Sequence, residues 1–442
     1  MNILNENSLD CNKKIKISFD GGDLTSDSGL LLFKEFDEKI GFSKAIAENI
    51  KVNDCVNHTT HRNEEVIVQR IMQNIAGYHT DAAANELRED PVFKELLNKD
   101  VLASQPTISR LNNKLDVETV KQFQKVNSIL LDRVYSIEPL KVMVFDVDST
   151  NLSTYGEQYG SAYNAHYGED GFHPLLVFNG LNGDCIKAEL RAGNVYTSRK
   201  VVQFIGPVLK EYNQKYPEVF QYLRGDSGFA DPDLYELCEA QKTNYVIRLK
   251  ANSQLYKLSS QFEQELLSQC KNNIYEETII YRDIMYKAKG WNKERRVVVK
   301  LTKAEGRFDI TYTFIVTNLN WNDETVVQFY CKRGTMENYI KEGKNGFAFD
   351  KMSSTSYWAN ANKLQEMVLA YNLNNWMRRL CFPEESKADR IETIRVKVIK
   401  IAAKVVSSSR YLKFKLSSSH PHKKLFTDIL NNIKLLPQIV YN

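Results

Sequence analysis

Apolar residues recur at helical spacing through residues 27 to 135, most clearly in VIVQRIMQNIAGY (66–78) and DAAANELREDPVFKELL (81–97). Within this stretch, ASQPTISRLNNKL (103–115) sets Ser104 and Pro106 at a helix start and Ile108, Leu111 and Leu115 on one face. A short helix with a polar start, following a turn, suits the second helix of a helix-turn-helix and equally a plain helical hairpin. The period changes at KVMVFDVDST (141–150), where Val142, Val144, Asp146 and Asp148 alternate with Met143, Phe145 and Val147 as in a strand. HPLLVFNG (173–180) and CIKAELRAG (185–193) read as two further strands, joined through the turn formers Asn179-Gly180 and Asn182-Gly183. A helix (198–212), the strand FQYLRGD (220–226), a helix (232–241) and the strand NYVIRLK (244–250) follow. Three antiparallel strands and then alternating helices and strands predict a mixed α/β sheet.

From about 252 to 320 the chain turns β-rich and basic and reads as an insertion of antiparallel strands. A run of β-branched and aromatic residues, Thr325 to Tyr330, then gives way to a helix-like stretch on which Arg333, Glu337, Lys341 and Lys344 share one face. Helical patterns dominate from Trp358 onward, with YLKFKL (411–416) a short alternating strand.

Composition is that of an ordinary globular protein, with 43% hydrophobic and 26% charged residues in 442. No apolar run reaches the roughly 18 residues that span a bilayer, which points to a soluble, cytoplasmic protein with no membrane partner. Seven cysteines without a CxxC pair point to free thiols in a reducing compartment. Cys55, His58 and His61 have the look of weak metal ligands, but no second pair follows at finger spacing, and loop residues are the better reading. The net charge of +4 conceals an uneven distribution, because ten Lys or Arg lie between Arg390 and Lys424 against the single acid Glu392. Lys397, Lys400 and Lys404 are predicted to share a helical face as a cationic ridge for DNA, with Val398, Ile401 and Val405 turned inward. A solvated face is the competing reading.

Asp148 in FDVDST and Asp226 in LRGDSGF stand at strand ends, where α/β sheets place their ligands, and Glu337 lies on the later helix. Exchange at a phosphodiester calls for stabilising both the entering and the leaving oxygen, a task for two Mg²⁺ or Mn²⁺ ions held by shared carboxylates. The signature Tyr330, Arg333, Glu337, Lys344, with spacing Tyr-x2-Arg-x3-Glu-x6-Lys, together with FDVDST, YLRGDSGFADPDLYELCEA, ASQPTISRLNNKL and WANANKLQEMVLAYNL, resembles the DDE transposases of bacterial insertion sequences. The resemblance covers roughly residues 20 to 435. It implies a ribonuclease-H-like catalytic domain over 139–252 and 321–380, a β-rich insertion at 253–320, a helical DNA-binding region at 1–138 and a basic C-terminal region at 381–442. It further implies that Asp148, Asp226 and Glu337 are catalytic and bind two metal ions. Arg333, Lys344 and Tyr330 would contact transposon-end DNA, and a homodimer would assemble on the double-stranded ends and target.

Asp146 shares a strand face with Asp148; the hydroxyl residues Ser149 and Thr150 that follow favour Asp148 as the first acid, with Asp146 as its support. A metal-dependent nuclease of the same fold and a DNA-binding protein without catalysis are the alternatives. Trp291, in the basic loop YKAKGWNKERR, would either stack on a flipped base or cap the insertion's own small sheet.

Overall fold

The computed structural model describes residues 7–54, 60–270 and 276–439; Cys55 and His58 lie outside them. The chain divides into two compact units, one of residues 1–138, 345–348 and 365–442, the other of residues 139–344 and 349–364.

The second unit is built on one sheet of eight strands. Its strands in chain order are β1 (Val142–Ser149), β5 (Leu175–Asn179), β6 (Cys185–Glu189), β7 (Phe220–Gly225), β8 (Asn244–Leu249), β9 (Thr278–Tyr286), β10 (Arg295–Lys303) and β11 (Ile310–Thr317). A small separate sheet holds the strands between β1 and β5: β2 (Leu152–Ser153), β3 (Ala162–Asn164) and β4 (Glu169–Phe172), ordered β2-β4-β3. The large sheet runs β9-β10-β11-β8-β7-β1-β5-β6. β1, β7 and β8 are parallel at its centre, and β5, β6 and β11 join antiparallel. Parallel neighbours need long crossovers, and α1 (Val201–Lys215) and α2 (Pro232–Ala240) supply them on either side of β7. This mixed order, with the three antiparallel strands predicted from the sequence followed by two parallel ones, is ribonuclease-H-like.

Two expectations change here. The strands of residues 278–317 form no sheet of their own, because β11 pairs along β8 and carries β10 and β9 outward as a continuation of the large sheet. The run Thr325–Tyr330 is helical, within α3 (Asp323–Cys331), despite its β-branched content. Burial decides the matter: Val326 and Val327 enter a core with Val246, Val298, Ile315 and Leu319, which Tyr222, Trp321 and Phe329 extend. A 3₁₀ turn (Lys332–Gly334) leads from α3 into α4 (Thr335–Phe347).

The first unit is mainly helical, with helices at Leu30–Ile40, Asn63–Ala76, Gln105–Asn112 and Val117–Ile137 among others. The Gln105–Asn112 helix begins after Ser104 with Ile108 and Leu111 buried, as its sequence predicts. The basic C-terminal segment departs from expectation. Residues Arg395–Ile399 form one π-helical turn and Ala403–Ser407 a strand paired with Leu412–Leu416, so Lys397, Lys400 and Lys404 share no helical face. Val398, Ile401 and Val405 do turn inward. Lys397 pairs with Asp389 at 2.9 Å, and Lys400 with buried Asp27 at 2.5 Å while lying 4.0 Å above the Tyr78 ring. Their charges are thereby spent inside the unit.

Candidate active site

β1 and β7 are parallel neighbours in register, with Arg224 beside Asp146 and Gly225 beside Val147. Asp226 follows Gly225 directly as the cap of a 3₁₀ turn, lines the same cleft as Asp148 and acts on its carboxyl through its charge. Side chains two apart on a strand share a face, so the two strands offer two successive rungs on the same side.

The inner rung is a closed ion pair. Arg224 Nε and Nη2 donate to Asp146 Oδ1 and Oδ2 at 2.6 and 2.7 Å, both residues are buried, and Arg224 Nη1 donates to the carbonyl of Phe329 at 2.8 Å. The guanidinium also lies 4.8 Å from the centre of the Phe329 ring. A fork of this geometry occupies both carboxylate oxygens. Asp146 is therefore consumed in holding β1, β7 and α3 together, and Gly180 is obligatory beside it because a Cβ there would collide with Asp146 and Arg224. Arg224, whose role the sequence did not disclose, is the residue that separates the two aspartates' tasks.

The outer rung opens to a cleft of about 440 Å³ lined by Asp148, Asp226, Tyr163, Tyr167, His173, Tyr196 and Lys250 among others. Burial pushes the Asp148 carboxyl up to about 6; nearby Arg333 pulls it down and the Asp226 charge raises it further. The amide of Ser149 donates to Asp148 Oδ1 and that of Gly228 to Asp226 Oδ1, each at 2.8 Å, which fixes both carboxylates.

Arg333 Nη1 donates to Asp148 Oδ2 at 3.0 Å, and its Nη2 lies 3.5 Å from Glu337 Oε1. Glu337 is thus joined to Asp148 through a guanidinium, and among the described residues no three acidic, His or Cys side chains gather closely enough to grip an ion unaided. The aspartate pair nevertheless fits a hard divalent cation: two mutually repelling carboxylates, one with its proton affinity raised, are the donor set such an ion stabilises. Tyr330 stands beside Arg333, its phenol pushed up by burial. Lys344 Nζ donates to the carbonyl of Asn151 at 2.7 Å, and burial lowers its affinity for a proton.

Trp291 is elsewhere and buried. The rings of Tyr235 and Tyr286 meet it edge-on at 5.4 and 5.3 Å, and the Arg295 guanidinium, held by Glu239 at 2.9 Å, lies 5.4 Å from its ring. A ring enclosed in this way caps the junction of α2 with β9 and β10 and is not presented to a base.

No curated protein matches the chain at a significant level. Among solved structures, a piggyBac transposase synaptic complex with hairpin DNA, determined by cryo-EM, is similar at 15% identity over 95% of this chain and 87% of that one, with a TM-score of 0.42. The family Transposase DDE domain group 1 matches residues 7–438. With nearly its whole length matched, the chain belongs to the DDE transposase family.

Proposed function

We propose that this chain binds the terminal inverted repeats of its insertion sequence, cleaves DNA at the ends and joins the 3′-hydroxyl ends to target DNA. The observation that carries the reading is the outer rung, Asp148 and Asp226 at the ends of parallel neighbouring strands and lining one cleft, with the Arg333 guanidinium between Asp148 and Glu337. Asp148, Asp226 and Glu337 would hold Mg²⁺ or Mn²⁺, and two such ions supply stabilisation of the entering and leaving oxygens. Arg333 balances part of the carboxylate charge. When a phosphate arrives, the same guanidinium can turn its fork from Asp148 to the phosphate oxygens, with Lys344 and Tyr330 flanking it. A bound divalent ion would favour the ionised form of Asp148, whose carboxyl burial raises to about 6.

Duplex binding is assigned to the helical region 1–138 and the basic C-terminal region 381–442. In the C-terminal hairpin, Lys404 stands directly opposite Lys415 and Val406 opposite Lys413, so three cations are gathered on one short ribbon. Like charges set opposite one another disfavour the pairing unless an anion joins them. A homodimer on the DNA completes the proposal.

The test supplies a pre-cut end carrying a free 3′-hydroxyl, a target duplex and Mn²⁺. Joined products are expected from the parent, and Ala at Asp148, Asp226 or Glu337 should abolish cleavage and joining while end binding persists. Cleavage without joining would make the chain a nuclease; substantial cleavage by Asp226→Ala would overturn the site.

A further inference from the structure

The segment between β2 and β4 reads TYGEQYGSAYNAHYG, with a tyrosine at every fourth position: Tyr155, Tyr159, Tyr163 and Tyr167. Isolated exposed aromatics are common and mean little. These are not isolated, since Tyr155 and Tyr159 are 90% and 81% exposed and Tyr163 and Tyr167 are exposed in the cleft that holds Asp148 and Asp226. Tyr196, from the loop after β6, is exposed in the same cleft.

The backbone beneath them is fixed. β3 pairs with β4 through Ala162–Gly171, Tyr163–Asp170 and Asn164–Glu169, and the turn between them closes on Gly168 at φ +74°, which places Tyr167 at its tip. Asn164 Nδ2 donates to the carbonyl of Gly193 at 2.8 Å, and Gly193 lies so close to the carbonyls of Ala162 and Gly171 that no Cβ fits. The loop carrying Tyr196 is therefore fastened to the strand carrying Tyr163. The Tyr167 ring meets those of His166 and His173 at steep angles, with centroids 4.8 and 6.0 Å away, which restricts its swing, and its phenol is pushed up by burial and by the charges of Asp148 and Asp226.

We propose that Tyr163, Tyr167 and Tyr196 form a rigid stacking platform that holds unpaired nucleotides of the processed DNA strand against Asp148 and Asp226. The occupant follows from three observations. The cleft, about 440 Å³, is the size of a site for one small ligand and suits a single nucleotide, not a duplex. Its walls offer aromatic faces, which a base can cover only when it is out of the helix. Lys250 lines the cleft and Arg333 reaches Asp148 within it, supplying positive charge for the backbone that an unpaired strand brings. The inference rests on the transposase reading and deepens it: the strand is presented to the carboxylates melted.

The experiment uses the full chain without divalent metal, so that no cleavage intervenes, and a 12-nucleotide single-stranded oligonucleotide with a central 2-aminopurine, alongside the same sequence as a duplex. Stacking is expected to quench the 2-aminopurine emission on the single strand. Tyr163→Ala with Tyr167→Ala and Tyr196→Ala should abolish the quenching and weaken single-strand binding by about 5- to 150-fold for each stack removed. Duplex binding should be unchanged, and the three Phe replacements should retain both quenching and affinity, because the faces and not the hydroxyls do the binding. Unchanged quenching and affinity in the triple Ala variant, or equal losses in the Phe variant, overturn the platform. So does a parent that fails to bind the single strand. Joining of ends by the parent is a separate measurement, and its failure would strike the transposase reading while leaving the stacking result to stand on its own.

Discussion

Asp146 and Asp148, two residues apart on one strand, should respond to neutralisation with opposite changes in stability. Truncating Asp146 leaves Arg224, 1% exposed, as a buried charge without its fork partner. Breaking a buried pair on one side costs about 3–5 kcal/mol. In a unit of roughly 150–250 residues each kcal/mol moves the midpoint by about 2–4 °C, so Asp146→Ala should lower Tm by about 6–20 °C. Burial raises both carboxyls to about 6, but only Asp146 has both oxygens taken by one guanidinium fork; Asp148, with a single Arg333 hydrogen bond, behaves in the other sense. Its carboxyl rises from 3.8 to about 6 on folding, so the folded state binds its proton more tightly than the unfolded chain does. That preference is fully present below pH 3.8 and is lost as pH climbs through about 6. A rise of this size corresponds to about 3 kcal/mol, at about 1.36 kcal/mol for each pH unit. Asp148→Asn, a permanent stand-in for the protonated acid, should therefore match the parent near pH 4 and become more stable than it by up to about 3 kcal/mol by pH 7, while losing all cleavage. The assay is thermal unfolding without metal across pH 4 to 8 for the parent and both variants. If Asp146→Ala melts with the parent, or Asp148→Asn melts well below it at pH 7, the division of labour between the two rungs is wrong.

Three further outcomes are expected. Near pH 6 the binding of Mn²⁺ should release about half a proton, read by calorimetry in two buffers of different ionisation enthalpy, and Asp148→Asn should release none. Trp291→Ala should cost about 3–5 kcal/mol by thermal melts and depress every step of the reaction together, since the ring is enclosed by Tyr235, Tyr286 and Arg295; a stable variant that stalls at one late step would restore a role on DNA. Replacing Lys404, Lys413 and Lys415 by Ala should reduce the salt slope of duplex binding by about 0.9 for each phosphate no longer neutralised, whereas Lys397→Ala with Lys400→Ala should leave the slope unchanged and lower the melting temperature.

What the sequence disclosed and what it withheld have a common physical cause. The strand of Asp146 and Asp148 and the RGD strand were legible because period-two alternation is local, and their strand-end acids come together once two parallel strands adjoin. The partner that removes Asp146 from contention lies 78 residues away in the chain, and no local pattern carries such a pairing. Lys397 and Lys400 misled for the same reason: Asp27, 373 residues from Lys400, takes its charge, and a π-turn breaks the periodicity that an ideal helix would have imposed. Trp291 sits among cations in sequence and among tyrosines in space. The valines of α3 show tertiary burial overriding propensity.

The joining of β11 to β8 makes residues 253–320 more than an accessory. Val246, Ile247, Arg248 and Leu249 face Thr317, Val316, Ile315 and Phe314 along that seam. Excision of the segment would strip the cover from a central, apolar strand and leave its peptide groups as a template for any passing chain. A shortened variant would then be lost to aggregation before its chemistry could be asked about, so the segment behaves as a selvage that keeps the sheet from fraying and sticking. Engineering of these transposases by loop removal should stop at the turns between β9, β10 and β11 and leave the three strands whole.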